Sequence, residues 1–288
     1  MTPAGSVALI CSLLLVQGGM ATGNEPKRSL ATEGDDAPAW TYRRTSTSEE
    51  LPYGPSYWHL GYPDCGKDSQ SPIDLAADVE TIVDASDVQI EFFPNECLSD
   101  ELFFQADERV WEVKFDKCSE TPHLKFDGET YNLLQIHIHS PSEHMIGGSL
   151  HAAEIHWVHL KEGTTDSLLV VGVLFDTSDY GYNVEIQHLW DVLEIGEEST
   201  EESFLTRVYD VLPSNPTFSH YTGSLTTPPC TEGVKWIVMA DAVIMGKIQL
   251  EDFRQSVALF DDSKVDEQGN TNRPYQPLNG RDVLLVMV

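Results

Sequence analysis

Short apolar segments separated by turn-forming residues follow one another along most of the chain. The segments are rich in Val, Ile, Phe, Trp and Tyr, and clusters of Gly, Pro, Asn, Asp and Ser divide them, a pattern typical of β-strands joined by turns. The sequence therefore predicts a mostly β protein. Strands are predicted at 88–93, 110–115, 133–139, 154–160, 168–175 and 236–240, and the apolar stretch 283–288 predicts a final buried strand.

Helical periodicity, with apolar residues three and four positions apart, is confined to three segments. These segments cover 183–194, 204–211 and 250–259. No internal repeat divides the sequence, and the strand-rich part from 51 to 288 is predicted to form one folded domain. Helices are thus expected to be few beside the strands.

The first fifty residues have a different pattern. An apolar run at 7–16 is followed by small residues up to Ala21, which predicts a signal peptide over 1–21. The run is too short to cross a bilayer, although the lack of a preceding Lys or Arg keeps an uncleaved anchor as the alternative. Residues 22–50 are polar without an apolar period and predict a disordered lead. The protein is therefore expected to be secreted or extracytoplasmic, with an organelle lumen or the periplasm as further destinations, and without an integral membrane segment after signal cleavage.

The cysteines change the picture of the folded domain. Cleavage of the signal peptide removes Cys11 and leaves four cysteines, an even number, which predicts two disulfides in an oxidising compartment. Four cysteines allow three connectivities, and their spacing does not choose among them. The four are Cys65, Cys97, Cys118 and Cys230.

The charge of the chain restricts its partners. Acidic residues outnumber basic ones 47 to 17, which gives a formal net charge of −30. Such an acidic protein is repelled by phosphate backbones and anionic lipids, so nucleic acid is excluded as a partner. The charge indicates a strongly hydrated surface, with a specific basic partner as the alternative; a homodimer stays open.

Six of the ten histidines lie between positions 137 and 159. Apolar and polar residues alternate through 134–139, which predicts a strand with His137 and His139 on the same face. A second strand-like run, 153–159, follows a loop that contains Pro and paired Gly. If the two strands pair, a histidine of the second can face the first two across the ladder.

Parity leaves two candidates for this third histidine. His156 shares a face with Glu154 and Val158, whereas His159 lies on the other face. The carboxylate neighbour favours His156, because the free ring nitrogen of a ligand imidazole needs an acceptor that fixes its tautomer. Three neutral imidazoles without a fourth protein ligand are typical of a catalytic zinc site, where water takes the open position. The alternative is that the histidines merely line a polar face of the sheet.

Seven motifs follow one another through the folded part of the chain: YW at 57–58, QSPI at 70–73, QIHIH at 135–139, SEH at 142–144, AEIH at 153–156, YTGSLTTPP at 221–229, and NRP at 272–274 with QPL at 276–278. In kind and in order, these motifs are those of the α-class carbonic anhydrases. The chain resembles that family over nearly the whole folded domain.

The resemblance implies both a fold and an activity. The implied fold is a single domain with a large central, mainly antiparallel β-sheet of about ten strands and short peripheral helices. The implied activity is the zinc-dependent, reversible hydration of carbon dioxide to bicarbonate and a proton by zinc-bound hydroxide, so carbon dioxide, water and bicarbonate are the expected partners. The resemblance also implies a Cys65–Cys230 bridge, which leaves Cys97 to pair with Cys118.

The resemblance further assigns roles at the metal. It implies that His137, His139 and His156 are the zinc ligands. Gln135 and Glu154 are implied as the hydrogen-bond acceptors behind these ligands. Zinc would then lower the pKa of bound water to about 7.

The remaining implied roles concern the substrate. Thr226 and Glu143 resemble the pair that orients the zinc-bound hydroxide toward carbon dioxide. The resemblance also implies a pocket for carbon dioxide, a substrate without charge, formed by Val158, Val170, Leu225, Thr227, Val234 and Trp236.

The chain departs from the family pattern at the position of the proton shuttle. Arg109 lies where many fast members have a histidine that carries protons out, and an arginine stays protonated near neutral pH. Glu112 would titrate too low unless burial raised its pKa, and His59 is a further candidate. The departure predicts that proton export limits turnover.

Two other functions compete with catalysis. One is a non-catalytic carbonic anhydrase-like binding module, and the other is a mineral-associated extracellular module with an acidic surface. The presence of all three histidines together with Thr226 and Glu143 argues against the first. The acidic residues are dispersed and form no repeats, which disfavours the second.

Overall fold

A twelve-stranded β-sheet organises the described part of the protein in the computed structural model. The described residues all belong to one compact unit, Glu33–Val288. They comprise 38–48, 52–75, 80–84, 88–95, 97–98, 103–107, 110–115, 118–195, 205–206, 208–260 and 265–287.

Strands dominate over helices, as the sequence predicts. The helices among the described residues are α1 (Trp58–Gly61), α2 (Val184–Ile195) and α3 (Lys247–Phe260), with a 3-10 turn at Pro63–Gly66. The strands are β1 (Asp74–Leu75), β2 (Glu80–Asp84), β3 (Ile90–Phe93), β4 (Cys97–Leu98), β5 (Phe103–Asp107), β6 (Val110–Lys114), β7 (His123–Phe126), β8 (Glu129–His139), β9 (Met145–Ile146), β10 (Ser149–Leu150), β11 (Ala153–Lys161), β12 (Leu168–Ser178), β13 (Leu205–Thr206), β14 (Phe218–Ser224), β15 (Glu232–Met239), β16 (Val243–Gly246) and β17 (Val283–Met287).

The large sheet is mixed. Its strand order is β2-β17-β14-β15-β12-β11-β8-β6-β5, with β16 beside β12 and β7 between β3 and β8. Most neighbours are antiparallel, but β12 pairs in parallel with β15 and β16, and β17 pairs in parallel with β2. The terminal strand β17 thus lies inside the sheet, which confirms the buried strand predicted at the end of the chain.

Alternation along the central strands separates two cores. Trp157 of β11 lies opposite Val171 of β12 in one buried cluster, whereas the adjacent pair Val158 and Val170 belongs to another. Successive side chains of a strand point to opposite faces, so His156 shares the face of Val158. Both strands are covered on both faces, which explains their nearly continuous apolar runs.

Two of the three predicted helices are confirmed, at α2 and α3. The helix predicted at 204–211 is wrong, because β13 pairs with β4 and a turn follows it. The indole N–H of Trp157 donates to the carbonyl of Val208 at 3.1 Å, and the N–H of Leu212 donates to the carbonyl of Tyr209 at 3.1 Å. The Val208 carbonyl and the Leu212 N–H would bond to each other in a helix, but a tertiary contact with Trp157 takes the carbonyl and a local turn takes the N–H.

The polar lead predicted over 22–50 is corrected in its last part. Within 38–48, Trp40 and Tyr42 are fully buried and pack edge to face on Trp58. The indole N–H of Trp58 also donates to the Thr41 carbonyl at 3.1 Å. Apolar burial therefore orders this stretch, whereas residues 1–37, with the predicted signal peptide, lie outside the described residues.

One predicted disulfide is confirmed. Cys65 and Cys230 are joined with an S–S distance of 2.06 Å. Cys118 is also disulfide-bonded, but the Cys97 side chain lies outside the described residues, so the pairing of Cys97 with Cys118 stays a prediction. Within the described ranges, no helix combines the length and apolar character that a membrane span requires.

Candidate metal centre

Strands β8 and β11 bring three histidines together. The antiparallel register places His156 directly opposite His137, and His139 lies two residues further along on the same face. One ring nitrogen from each histidine lies within 4.8 Å of the other two. His139 and His156 are buried, and His137 is partly exposed. The other candidate, His159, lies on the opposite face, where its Nε2 is 2.8 Å from the Tyr209 hydroxyl.

Hydrogen bonds behind the rings fix the tautomers. The Nδ1 of His137 lies 2.7 Å from the side-chain oxygen of Gln135, and the Nδ1 of His139 lies 2.6 Å from the carbonyl of Thr271. Both oxygens are acceptors, so both Nδ1 atoms carry the hydrogen and leave Nε2 with a free lone pair.

The third ring has the opposite tautomer. The Nε2 of His156 lies 2.8 Å from Oε1 of Glu154 and donates to this carboxylate, which leaves the lone pair on Nδ1. Three lone pairs therefore converge: Nε2 of His137, Nε2 of His139 and Nδ1 of His156.

The convergent nitrogens fit a cation. Nδ1 of His156 and Nε2 of His137 are 3.1 Å apart, yet neither carries a hydrogen to share. Nε2 of His139 is buried and has no hydrogen-bond partner among the described residues. Tetrahedral zinc with bonds of about 2.0–2.1 Å separates two ligand nitrogens by about 3.3 Å. A single zinc-like ion would thus satisfy all three lone pairs.

Burial favours the neutral form that binds metal. It lowers the pKa of His139 to about 4, and it lowers the pKa values of His137 and His156 as well. Glu154 opposes this effect at His156, because its carboxylate raises the pKa of the imidazole. The imidazoles are consequently neutral at physiological pH without competition from protons.

Glu154 is a fully buried carboxylate with four donors. Its Oε1 accepts from His156 and, at 2.7 Å, from Nδ1 of His144, while its Oε2 accepts the backbone N–H groups of Glu143 and His144 at 2.9 and 2.8 Å. Burial alone would raise its pKa, but His144 and His156 outweigh burial and hold the pKa well below its usual range. Glu154 is therefore ionised behind the metal centre.

Gly172 makes room for this carboxylate. It lies opposite His156 in the β11–β12 ladder, and a Cβ at this position would be 2.8 Å from Oε1 of Glu154. A glycine inside a buried strand marks such a close approach. The lack of a side chain at Gly172 of β12 therefore leaves the space that Glu154 occupies.

His144 is a further residue of the site, to which the sequence assigns no role beyond its place in the SEH motif. It is fully buried, and its Nε2 lies 2.7 Å from the hydroxyl of Tyr221, which lies 2.8 Å from Oγ of Ser71. With Glu154 and His156 it forms a second group of potential ligand atoms. Hydrogen bonds already connect this group, so its role is to hold Glu154.

Glu143 and Thr226 lie together beside the histidines. Oε1 of Glu143 accepts the backbone N–H of Arg273 at 2.7 Å, and Oε2 lies 3.5 Å from Nε2 of His139. Burial raises the pKa of Glu143 to about 7, while the Thr226 hydroxyl acts as a donor that lowers it. Among the described residues, no donor meets normal hydrogen-bond geometry at Oε2, so the Thr226 hydroxyl lies close enough to lower the pKa without a well-formed hydrogen bond.

The loop that carries Thr226 is fastened at both ends. The N–H of Leu225 donates to the carbonyl of Thr231 at 3.0 Å, and the N–H of Cys230 donates to the carbonyl of Thr227 at 2.8 Å. The disulfide of Cys230 joins this loop to the Pro63–Gly66 turn. Thr226 is therefore held in place although it lies beyond the end of β14.

An apolar wall adjoins the histidines. The Trp236 ring lies 4.9 Å from the ring of His156, and Leu225 packs against its cluster while only partly buried. Thr227 is partly exposed beside Thr226. The four predicted pocket residues that are buried in this one cluster are Val158, Val170, Val234 and Trp236.

The predicted shuttle position, Arg109, lies outside the described residues. Three residues further along the chain, Glu112 of β6 lies opposite His137 in the ladder and forms an ion pair with Lys114 at 3.3 Å. His59 is exposed on α1. The role of Arg109 therefore stays a prediction.

Comparisons with known proteins show which family the chain is similar to. A family model described as eukaryotic-type carbonic anhydrase matches residues 53–287. The chain is 30% identical over 266 residues to carbonic anhydrase 6 of Bos taurus, which covers 85% of this chain and 79% of that relative. It is 30% identical over 239 residues to a carbonic anhydrase of Nostoc sp., with 80% and 82% covered. A solved structure, the α-carbonic anhydrase of Thermovibrio ammonificans in complex with the inhibitor sulfanilamide, is similar with a TM-score of 0.67 at 29% identity, covering 86% of this chain and 99% of that one.

Proposed function

Because the chain belongs to the eukaryotic-type, or α, carbonic anhydrase family, we propose that it hydrates carbon dioxide reversibly with a zinc ion held by His137, His139 and His156. The observation that supports this proposal is the convergence of three imidazole lone pairs, each fixed by an acceptor on the far side of its ring. Such acceptors orient ligands and raise their basicity. When bound, zinc supplies a water molecule that ionises near pH 7 and can act as a nucleophile.

Glu143 and Thr226 orient the reacting groups. Glu143 is fixed by the Arg273 N–H, and in the proposed reaction it accepts the hydrogen of the Thr226 hydroxyl, which lies close enough to lower its pKa. Because its only hydrogen is then donated to Glu143, Oγ1 of Thr226 can act only as an acceptor on the side that faces the metal centre. A water or hydroxide that donates a hydrogen to Oγ1 of Thr226 would turn its remaining lone pair toward the apolar wall.

The apolar wall binds the substrate. Carbon dioxide has no charge for a side chain to grip, so its site is a dry surface, which Val158, Val170, Val234 and Trp236 provide. Leu225, at the partly exposed edge of this cluster, separates it from solvent. Water is thereby excluded from the side of the site where carbon dioxide is attacked.

The proposed location is extracytoplasmic. The Cys65–Cys230 bridge supports this proposal, since disulfides persist in oxidising compartments. Amino-terminal sequencing of the mature protein tests the predicted cleavage after Ala21; an intact amino terminus in a reducing compartment would contradict it.

The experiment compares two histidine variants. His156→Ala removes a ligand and is expected to lose both bound zinc and carbon dioxide hydration, measured by elemental analysis and stopped-flow assay. His188→Ala, on the surface helix α2, is the matched control and should keep both. Full activity of a zinc-free His156→Ala protein would overturn the proposal.

A further inference from the structure

We propose that Arg44, in the amino-terminal segment 38–48, is a positioning residue of the metal centre and acts through Asn272. The inference rests on the proposed function above. Arg44 contacts Asn272, and the residues on either side of Asn272 hold His139 and Glu143.

Thr271 and Arg273 each hold one functional group. The carbonyl of Thr271 accepts the Nδ1 hydrogen of His139 at 2.6 Å, which fixes the tautomer of that ligand. The backbone N–H of Arg273 donates to Oε1 of Glu143 at 2.7 Å, which fixes the carboxylate. A small displacement of this backbone would therefore affect a metal ligand and the orienting acid together.

Asn272 lies between these two residues and contacts the loop that joins His139 to Glu143. Its side-chain Nδ2 donates to the carbonyl of Ser142 at 3.2 Å. Residues 270–278 have no regular secondary structure, so no strand ladder fixes their position. Isolated main-chain bonds hold this segment, from the Thr271 N–H to the Ser140 carbonyl at 3.0 Å and from the Gln276 N–H to the Pro72 carbonyl at 2.7 Å, and side-chain contacts hold the residues between them.

Arg44 grips Asn272 from the outer side. Its Nη2 donates to the main-chain carbonyl of Asn272 at 3.0 Å and to the side-chain Oδ1 at 3.2 Å. Because Oδ1 is bound by Arg44, the amide is oriented with Nδ2 toward Ser142. Nε of Arg44 lies 4.0 Å from the buried carboxylate of Asp266, which orients the guanidinium.

The amino-terminal segment is anchored independently of Arg44. Trp40 and Tyr42 are buried against Trp58, and the guanidinium of Arg273 lies 5.5 Å from the same Trp58 ring. Trp58 therefore packs against both the amino-terminal segment and the side chain of Arg273. Loss of the Arg44 side chain should leave the segment attached.

Lysine should not replace Arg44. A guanidinium is a planar fork whose donors can bind Asn272 and face Asp266 at the same time, whereas an ammonium is a single flexible point charge. The Arg44→Lys variant thus keeps the charge and loses the orientation. It separates positioning from electrostatics.

The test measures metal retention. Zinc-loaded Arg44→Ala and Arg44→Lys proteins are mixed with a chelator, and the rate of zinc release is followed. Loss of a direct contact behind a ligand weakens metal binding by about 10- to 100-fold; Arg44 acts one contact further out, so we expect release to be roughly 3- to 10-fold faster. The matched control is Thr45→Ala, which removes the neighbouring hydroxyl contact to Glu267 but keeps the Arg44 contact, and it should release zinc at the wild-type rate.

Two further measurements separate positioning from general loosening. If Arg44 acts through Asn272, the effects of Arg44→Ala and Asn272→Ala should be less than additive in the double variant, because Asn272→Ala already removes one of the two Arg44 contacts and keeps the main-chain one. The Nδ1 hydrogen of His139, followed by NMR, should also exchange faster with solvent in both Arg44 variants.

The inference would be overturned by wild-type zinc release in the Arg44 variants, by equal acceleration in Thr45→Ala, or by additive effects in the double variant. Its failure is distinct from failure of the proposed function. If wild-type protein itself binds no zinc or hydrates no carbon dioxide, the proposed function is wrong.

Discussion

Strand β11 carries two buried histidines three residues apart, and their surroundings differ. His156 faces His137 and His139, with a free Nδ1 lone pair and Glu154 behind Nε2. His159 faces the other core, where it stacks on Tyr209 with its Nε2 2.8 Å from the phenol. Burial lowers the pKa of both.

Burial and neutrality therefore do not make a metal site. The two faces differ in what surrounds the ring: the His156 face gathers three unshared lone pairs and an ionised carboxylate, whereas the His159 face offers a neutral phenol. Sequence parity distinguishes these faces, because residues 154 and 156 share one and residue 159 lies on the other. Two features therefore need testing, the carboxylate of Glu154 and the convergence of the three imidazole lone pairs.

The largest effect is expected when the carboxylate behind His156 is removed. Glu154→Gln keeps the size of the side chain but loses the charge that His144 and His156 stabilise. Zinc affinity should fall by about 10- to 100-fold, as measured by competition with a chelator. The parallel His159→Gln variant should keep wild-type affinity, and equal losses in the two variants would remove the distinction between the faces.

His159 should instead control stability against acid. Its pKa is lowered to about 3 by burial, compared with about 6.5 in an unfolded chain. Above pH 6.5 the ring is neutral in both states, and as the pH falls toward 3 the unfolded state alone gains the proton, so stability is lost. At pH 5 the loss is about 2 kcal/mol.

This prediction is tested with His159→Phe. Its unfolding free energy, measured by denaturant titration, should decline less between pH 7 and pH 5 than that of the wild type, by about 2 kcal/mol. Parallel declines in the two proteins would show that His159 is not the group that titrates.

A smaller effect concerns proton export, which only a catalytic site requires. Arg109 occupies the predicted shuttle position and cannot release its proton near pH 7. Arg109→His should raise the maximal rate roughly 3- to 10-fold at low buffer concentration, because imidazole titrates in this range. The second-order rate constant for carbon dioxide should be unchanged.

Buffer dependence of the wild type provides the control for this prediction. Small imidazole buffers should raise its maximal rate, since they replace the missing group. A maximal rate that is already high and insensitive to buffer would show that another residue, such as His59, carries the proton.

The sequence predicts the strands that hold the ligands because their alternation is local. The QIHIH run at 135–139 fixes which histidines share a face, and the structure places both on the face of His156. The sequence does not indicate which strands of the mainly antiparallel sheet pair in parallel; β17, for example, pairs with β2 from the other end of the chain. Local periodicity contains no information about such pairing.

Two features of the site are not determined by the local sequence. The acceptor behind His139 is the main-chain carbonyl of Thr271, and any residue type carries a carbonyl. His144 lies in the SEH motif at 142–144, but only tertiary structure shows that it is buried between Glu154 and Tyr221. The SEH motif is therefore the one available signal for His144.

The central claim is that hydration depends on one zinc ion held by the three histidines of β8 and β11. Metal-free protein can be titrated with zinc while carbon dioxide hydration is followed by stopped flow. Activity should be absent at the start, rise in proportion to added zinc and level off at one zinc per chain. Hydration by the metal-free protein, or an inactive protein at one zinc per chain, would contradict the account.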